Sequence, residues 1–297
     1  MINIAPNRAE QLQLPGPLKL GLRAHDFGCG SADQLAERIA TAGFGCVQLA
    51  LNKAIAGLRL EAGDLTSGLA REIGHAFRRQ GVEIAVLGCY INPIHPEMRT
   101  RARLLEFFFD HLRLARDFGC GLVALESGSV NADYSPHPAN QGALAFHELL
   151  ASLEWLLAAA EAADVSVGLE AVVGHTVASA TAMQRVLKTL GSRHLKVVLD
   201  PVNLLSAALA PHHQRILAEA IDLLGADIAV VHAKDFILTD GVLQTRPAGQ
   251  GQLGYGPILE YIRHQAPSLP VLLEEASETT APGCARYLKQ RFEETIL

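Results

Sequence analysis

Residues 165–200 read VSVGLEAVVGHTVASATAMQRVLKTLGSRHLKVVLD and divide into strand, loop, helix and strand. The apolar run Val165–Leu169 stops on Glu170. ATAMQRVLKTLG carries apolar residues at three- and four-residue spacing and closes on Gly191, and the next run, Leu195–Leu199, stops on Asp200. A strand that ends on an acid or an imidazole cannot hide that group in an apolar core without a partner. The same ending recurs twice downstream, in DIAVVH at His232 and in PVLLE at Glu274. Four residues of metal-binding type at four successive strand ends suggest convergence on one hard or borderline cation.

Working outward, eight strands are expected: Leu18–Arg23, Cys46–Ala50, Val82–Leu87, Leu122–Leu125, Val165–Leu169, Leu195–Leu199, Ile228–Val231 and Val271–Leu273. Helical patterns lie between them, the clearest in MRTRARLLEFFFDHLRLARDFG, and Gly43, Gly81, Gly119, Gly191 and Gly225 stand where a helix hands over to a strand. Eight βα units repeating every roughly 35 residues predict an α/β fold, a single-domain (β/α)8 TIM barrel. A doubly wound sheet would open with a glycine-rich nucleotide turn, and LRAHDFGCGSAD has no GxGxxG. Residues 1–17 read as an N-terminal arm and 18–297 as the barrel. Chemistry is then expected at the C-terminal strand ends.

Composition narrows the class. Of 297 residues 49% are hydrophobic and 19% charged, and the net charge is -6, against the basic stripe of a nucleic-acid binder. Arg99, Arg101 and Arg103 share a helix with Glu97, Glu106 and Asp110, which reads as a solvated face. No apolar run approaches the roughly 20 residues of a membrane span, so no membrane partner is expected. Five cysteines without CxxC spacing point to a reducing compartment. MINIAPNRAEQLQLPGP lacks the pattern of a secretory leader; the expected location is cytoplasmic.

Strand alternation allows the four end residues to face inward together: Gly168 and Ser166 accompany Glu170, Val198 and Lys196 accompany Asp200, Val230 and Ile228 accompany His232, and Leu272 accompanies Glu274. Glu274 and Glu275 compete for the last place, and Glu274 is preferred because it follows the apolar run directly. The bland readings are Asp200-Pro201 as a turn opener and His232 as a hydrogen-bonded core imidazole. Further substrate-facing candidates are His25 at the end of strand one and Tyr90, Asn92 and His95 on the loop after strand three. Glu126, ending strand four, reads as a fifth oxygen ligand, a substrate contact or a partner for Arg23. Lys234 could meet an anionic group, Asp235 reads as an orienter of its neighbours, and Arg246 precedes GQGQLGYG, whose glycines suit a lid or an anion contact. His175, on the loop after Glu170, is placed for a supporting or a substrate-contacting role, and His212 and His213 for surface exposure.

The stretches LGLRAHDFG, VQLAL, VLGCYINPIHP, LVALESGS, LEAV, VVLDPVNLL, VVHAKD, GQGQLGYG and LLEEAS together resemble the xylose isomerase-like barrels, the sugar phosphate isomerases/epimerases. The resemblance covers nearly the whole chain. It implies one divalent metal ion (Mn, Mg, Co or Zn) held by Glu170, Asp200, His232 and Glu274, with Glu170 and Glu274 as the acid/base pair. The implied activity is isomerisation or epimerisation of a sugar or sugar phosphate through a metal-stabilised enediolate, by a homodimer or homotetramer. A dehydratase or lyase on the same fold is the alternative; a non-catalytic sugar-binding barrel and an apurinic-site endonuclease are more remote. The endonuclease branch needs a histidine three residues past the strand-six aspartate, where this chain has Asn203, and an Asp-x-His element where it reads QTRPAGQG. Asn203 instead joins the substrate-contacting candidates.

Overall fold

The computed structural model describes residues 16–295, so the arm expected over residues 1–17 lies almost wholly outside the described residues. The eight expected strands form as β1 (Leu20–Arg23), β2 (Cys46–Leu49), β3 (Glu83–Gly88), β4 (Leu122–Glu126), β5 (Ser166–Glu170), β6 (Leu195–Leu199), β7 (Ile228–Thr239) and, last in the chain, β9 (Val271–Leu273). Each pairs in parallel with its neighbours, and β6–β7 and β9–β1 complete a closed barrel. Helices α1 (Ala32–Thr41), α2 (Leu51–Ala54), α3 (Ser67–Arg79), α4 (Met98–Phe118), α5 (Ala143–Ala162), α6 (Ala180–Leu190), α7 (His213–Leu224), α8 (Gly256–Gln265) and α9 (Ala281–Glu294) fill the crossovers and the C-terminal return.

The sequence builds these helix ends locally. Ser31 accepts from the Gln34 N–H while the Gln34 side chain accepts from Ser31, a capping box at α1. Glu97 caps α4 by accepting from the Arg99 and Thr100 N–H groups at 2.9 and 2.7 Å. Gly119 and Gly191 end α4 and α6 with φ of 79° and 58°, the left-handed turn a helix needs to pass into a strand.

The core has two layers. A large shell packs the helices onto the outer barrel face, and a smaller cluster of Cys46, Val86, Leu122, Ala124, Val198, Val230 and Leu272 fills the lumen. Val198, Val230 and Leu272 there verify the alternation that turns Asp200, His232 and Glu274 inward. Gly168 shares that lumen: a Cβ on it would lie 3.1 Å from Val198 and 3.2 Å from Leu122.

Three expectations change. Strand β7 runs eight residues past Val231 to Thr239 and folds back antiparallel on β8 (Val242–Pro247) across Asp240-Gly241, both with φ above +50°. Asp-Gly is a preferred two-residue hairpin turn; His232 marks the end of the barrel wall, not of the strand. Helix α5 has the length and composition to cross a membrane, contrary to the expectation that no such stretch exists, and half of its most apolar window is buried; Leu149, Leu153 and Leu156 are fully buried in the core. Arg101 is not simply solvated: it pairs with Glu148 of α5 and donates to the His95 carbonyl at 2.8 Å, tying α4 to α5.

Candidate active site at the C-terminal mouth

A cavity of about 560 Å³ opens at the C-terminal ends of the strands, and Arg23, His25, Tyr90, Asn92, His95, Glu126, Glu170 and Glu274 line it together with Lys53 and Tyr134. At its floor the four strand-end residues meet, Glu170 and Glu274 on the cavity lining and Asp200 and His232 buried behind them. His232, 1% exposed, points Nδ1 at three carboxylates: Glu274 Oε1 at 3.2 Å, Glu170 Oε1 at 3.6 Å and Asp200 Oδ2 at 3.8 Å. Its Nε2 is engaged elsewhere, with Gln48 Oε1 at 2.9 Å.

Each acid is held by a different device. Asp200 spends Oδ1 on the Val202 and Asn203 N–H groups, both at 2.9 Å, so it does open the turn after Pro201; Oδ2 remains for the site. Glu170 accepts from Asn203 Nδ2 at 2.6 Å and from the Tyr90 hydroxyl at 3.4 Å. Glu274 is met by Lys234 Nζ at 2.9 Å and by an Arg23 guanidinium nitrogen at 3.3 Å. The chain turns at Glu275, whose φ is +56° and whose N–H donates to Asp26 at 2.9 Å. Glu275 is thereby exposed, and Glu274 is the inward carboxylate.

Electrostatics follow from this packing. Burial opposes charge on His232, but the Glu274 and Glu170 carboxylates outweigh it and push the imidazole up to about 9. Burial likewise favours a neutral Glu274, yet His232, Lys234 and Arg23 hold its carboxyl well below the usual range. Lys234 lies 2.8 Å from Asp200 Oδ2 and 3.0 Å from Asn203 Oδ1; Asp200 and Glu274 keep it an ammonium despite burial. Burial, then the charge of Glu170, raise Glu126 to about 8. Burial and Arg23 lower His25 to about 4, leaving a neutral ring with an unpartnered Nδ1.

The donor set fits a divalent cation. One ligand atom each from Glu170, Asp200 and His232 lies within 4.8 Å of the others, a spacing compatible with ligand bonds of about 2.0–2.2 Å to a shared ion. His232 Nδ1 is buried without a hydrogen-bond partner, and buried polar atoms are rarely left so.

Other candidates find different surroundings. Asn92 lines the cavity, but its amide is fully used: Nδ2 donates to the Ser129 and Asn131 carbonyls, and Oδ1 accepts from the Ile94 and Ser129 N–H groups. It organises the loop walls. Glu126 faces His175 Nδ1 at 3.3 Å and has no ion pair with Arg23, which is bound bidentately by Asp26 at 2.9 and 3.0 Å. His95 is half-buried and accepts from the Glu97 N–H at 3.1 Å. His213, expected on the surface, is half-buried, with Nε2 accepting from the Gly254 N–H at 3.1 Å; His212 is exposed.

Arg246 does not line the cavity. It sits on β8 and donates to the Thr245 carbonyl and Gln244 Oε1, both at 2.8 Å. The following glycines form no loose lid either. Asp235 accepts from the N–H groups of Phe236, Gly249, Gly251 and Leu253 at 2.8–3.1 Å, and a Cβ at Gly251 would collide with the Phe236 carbonyl and this carboxylate. The glycines permit a tight cage around a buried acid. Asp235 thus orients a loop, where the sequence reading gave it only a supporting role.

Two contributors escape the sequence reading. Gln48, fully buried at the end of β2, links His232 to the Tyr90 hydroxyl, to which its Nε2 donates at 2.9 Å. A polar residue inside the four-residue strand CVQL was the available signal. Lys53, 5.9 Å over the Tyr90 ring, borders the cavity but sits outside any strand.

The architecture has many counterparts among solved structures. A D-tagatose 3-epimerase-like protein superposes with a TM-score of 0.73 at 18% identity, covering 94% of this chain and 98% of that one. A xylose isomerase domain protein from Planctomyces limnophilus gives 0.70 at 15% identity, covering 94% and 98%. The probable 3-DHS dehydratase AsbF of petrobactin synthesis from Bacillus anthracis gives 0.66 at 14%, covering 91% and 98%. These likenesses speak to the fold. No curated protein matches the sequence. The sequence model of the xylose isomerase-like TIM barrel matches residues 36–291, most of the chain, and the protein belongs to that family.

Proposed function

We propose that the chain is a divalent-metal-dependent isomerase or epimerase of a small carbohydrate. The observation that carries this reading is the convergence of His232 Nδ1 and three carboxylates, two of which, Glu170 and Glu274, line the open cavity. Glu170, Asp200, His232 and Glu274 would hold the ion, which would polarise a substrate carbonyl and its neighbouring hydroxyl and acidify the C–H between them.

The chain's own residues then move the proton. Glu170 and Glu274 lie on β5 and just after β9, on two sides of His232, so one can remove a proton and the other return it. Glu274 is kept ionised by Lys234 and Arg23 and suits the accepting role. Asn203 and Tyr90 fix the Glu170 carboxylate from above. The epimerase-like neighbours agree with this reading, as do the walls lined by hydrogen-bonding groups.

A dehydratase is the second reading. Glu126, held protonated to about pH 8 beside Glu170, could supply a proton to a departing hydroxyl, and a dehydratase is among the structural neighbours. Proton NMR in deuterated buffer with Mn²⁺ tests both on a panel of ketoses, aldoses and their phosphates, each with a chelator control. Chelator-sensitive deuterium uptake beside the carbonyl supports the isomerase or epimerase; water loss without uptake into recovered substrate supports the dehydratase. No chelator-sensitive change in any substrate of the panel refutes the carbohydrate assignment.

A further inference from the structure

We infer that Gln48 is a positioning residue that sets two proton positions at once: it keeps the His232 proton on Nε2 and turns the Tyr90 hydroxyl into a donor facing the cavity. The inference rests on reading Glu170, Asp200 and His232 as a metal site, and deepens it.

The geometry is a one-way chain. His232 Nε2 meets Gln48 Oε1 at 2.9 Å, Gln48 Nε2 donates to the Tyr90 oxygen at 2.9 Å, and the Tyr90 hydroxyl reaches Glu170 Oε2 at 3.4 Å. An amide oxygen only accepts, so the imidazole nitrogen facing it must carry the proton. When an ion displaces the second proton of the imidazolium, Nδ1 is the nitrogen that gives it up and presents a lone pair to the gap between Glu274, Glu170 and Asp200. It is one of the buried atoms with no hydrogen-bond partner, as a ligand atom awaiting an ion would be. The reverse amide would leave Nδ1 protonated and aimed at the ion's place.

The second effect follows from the same amide. Tyr90 has one hydroxyl proton, and its oxygen already accepts from Gln48, so that proton is free for Glu170 or a substrate oxygen. Gln48 is 0% exposed and lies on β2, whereas Tyr90 follows β3 and His232 sits on β7. The amide therefore couples the ligand set to the substrate side through a dry contact, where a hydrogen bond is least replaceable by water.

The test compares Q48M, Y90F and the parent by Mn²⁺ titration calorimetry, deuterium exchange at saturating Mn²⁺, and ¹⁵N spectra of the Zn²⁺-loaded protein. The parent is expected to show His232 protonated at Nε2. Q48M should bind Mn²⁺ about 10–100-fold more weakly, the range for losing the partner that orients a ligating histidine. Y90F should bind Mn²⁺ within twofold of the parent, with exchange reduced to the level of Q48M at saturating metal. If Q48M does not fold, Q48E, which retains an acceptor oxygen of the same reach, should bind Mn²⁺ at least as tightly as the parent. Unchanged Mn²⁺ affinity in folded Q48M, weakened affinity in Q48E, or a His232 proton on Nδ1 overturns the inference. A parent that binds no Mn²⁺ instead defeats the metal-site reading beneath it.

Discussion

Replacing Lys234 by methionine removes one positive charge from the floor of the site and keeps the length of the side chain. Lys234 Nζ lies 2.8 Å from Asp200 and 2.9 Å from Glu274, and the three side chains are 7%, 0% and 5% exposed. Removing one partner of so dry an ion pair leaves the carboxylates buried and under-compensated, a loss of about 3–5 kcal/mol. For a chain of this size each kcal/mol lowers the melting temperature by roughly 2–4 °C, so K234M should melt roughly 6–20 °C below the parent in chelator.

Manganese should reverse most of that loss. A ligand that binds only the folded state at a thousandfold excess over its Kd stabilises by about 4 kcal/mol. The variant's cluster carries one more uncompensated negative charge, so its Mn²⁺-induced shift should exceed the parent's. Differential scanning calorimetry of both proteins, with chelator and with Mn²⁺, reads all four values. Chelator melts that agree within 2 °C would show that Lys234 does not hold the cluster together. Equal Mn²⁺ shifts would show that its charge is not coupled to the ligand set, and would refute the placement of the ion beside it.

Three further outcomes are expected. E274Q should retain a folded barrel and lose deuterium exchange by about 10²–10⁴-fold, the usual contribution of a general acid or base; unchanged turnover with metal bound would remove Glu274 from proton transfer. Glu126 titrates at about 8 against an ordinary 4.5, so the folded chain holds a proton the unfolded chain has released. Its contribution to stability must therefore fall as pH rises from 4.5 to about 8; urea melts of metal-free E126Q, compared with the parent at pH 5 and 8, should show a flatter slope. G251A should cost about 1–3 kcal/mol because its Cβ meets the Phe236 carbonyl and the Asp235 carboxylate, whereas G45A, with open space at its Cβ, should melt within a degree or two of the parent.

The barrel was legible because its evidence is local and periodic. Strand, helix and glycine alternate through the sequence, and the residue that closes each strand keeps the parity of the lumen residues two positions earlier. What stayed hidden is decided by contacts between distant segments. The hairpin of β7 and β8 is not expected from the sequence although Asp240-Gly241 is a turn pair, because the apolar run that forms the barrel wall stops at His232. Arg246 and the glycines after it suggested a mobile anion grip, yet Asp235 collects N–H groups from residues 14–18 positions downstream. No spacing rule reveals that a buried aspartate will close a loop around itself. Asn92 does line the cavity, but which loop carbonyls consume its donors is decided by the same kind of distant contact.

The arrangement of the site divides the barrel into two unlike arcs. From β5 through β9 the strand ends supply acceptors and the imidazole: Glu170, Asp200, His232 and Glu274. The opposite arc, β1 to β3, supplies groups that hold them, through Arg23 to Glu274 and through Gln48 to His232. Arg23 acts between hydrogen-bonded neighbours, since β1 pairs with β9. Gln48 instead reaches across the lumen, for β2 and β7 share no ladder. Beneath it the lumen is filled by Cys46, Val230, Leu272 and other apolar side chains, whose packing fixes distance but not direction. A hydrogen bond fixes both. The cross-lumen amide is thus the element that can hold the His232 ring plane in one orientation, and the precision of the ligand set depends on a strand that contributes no ligand to it.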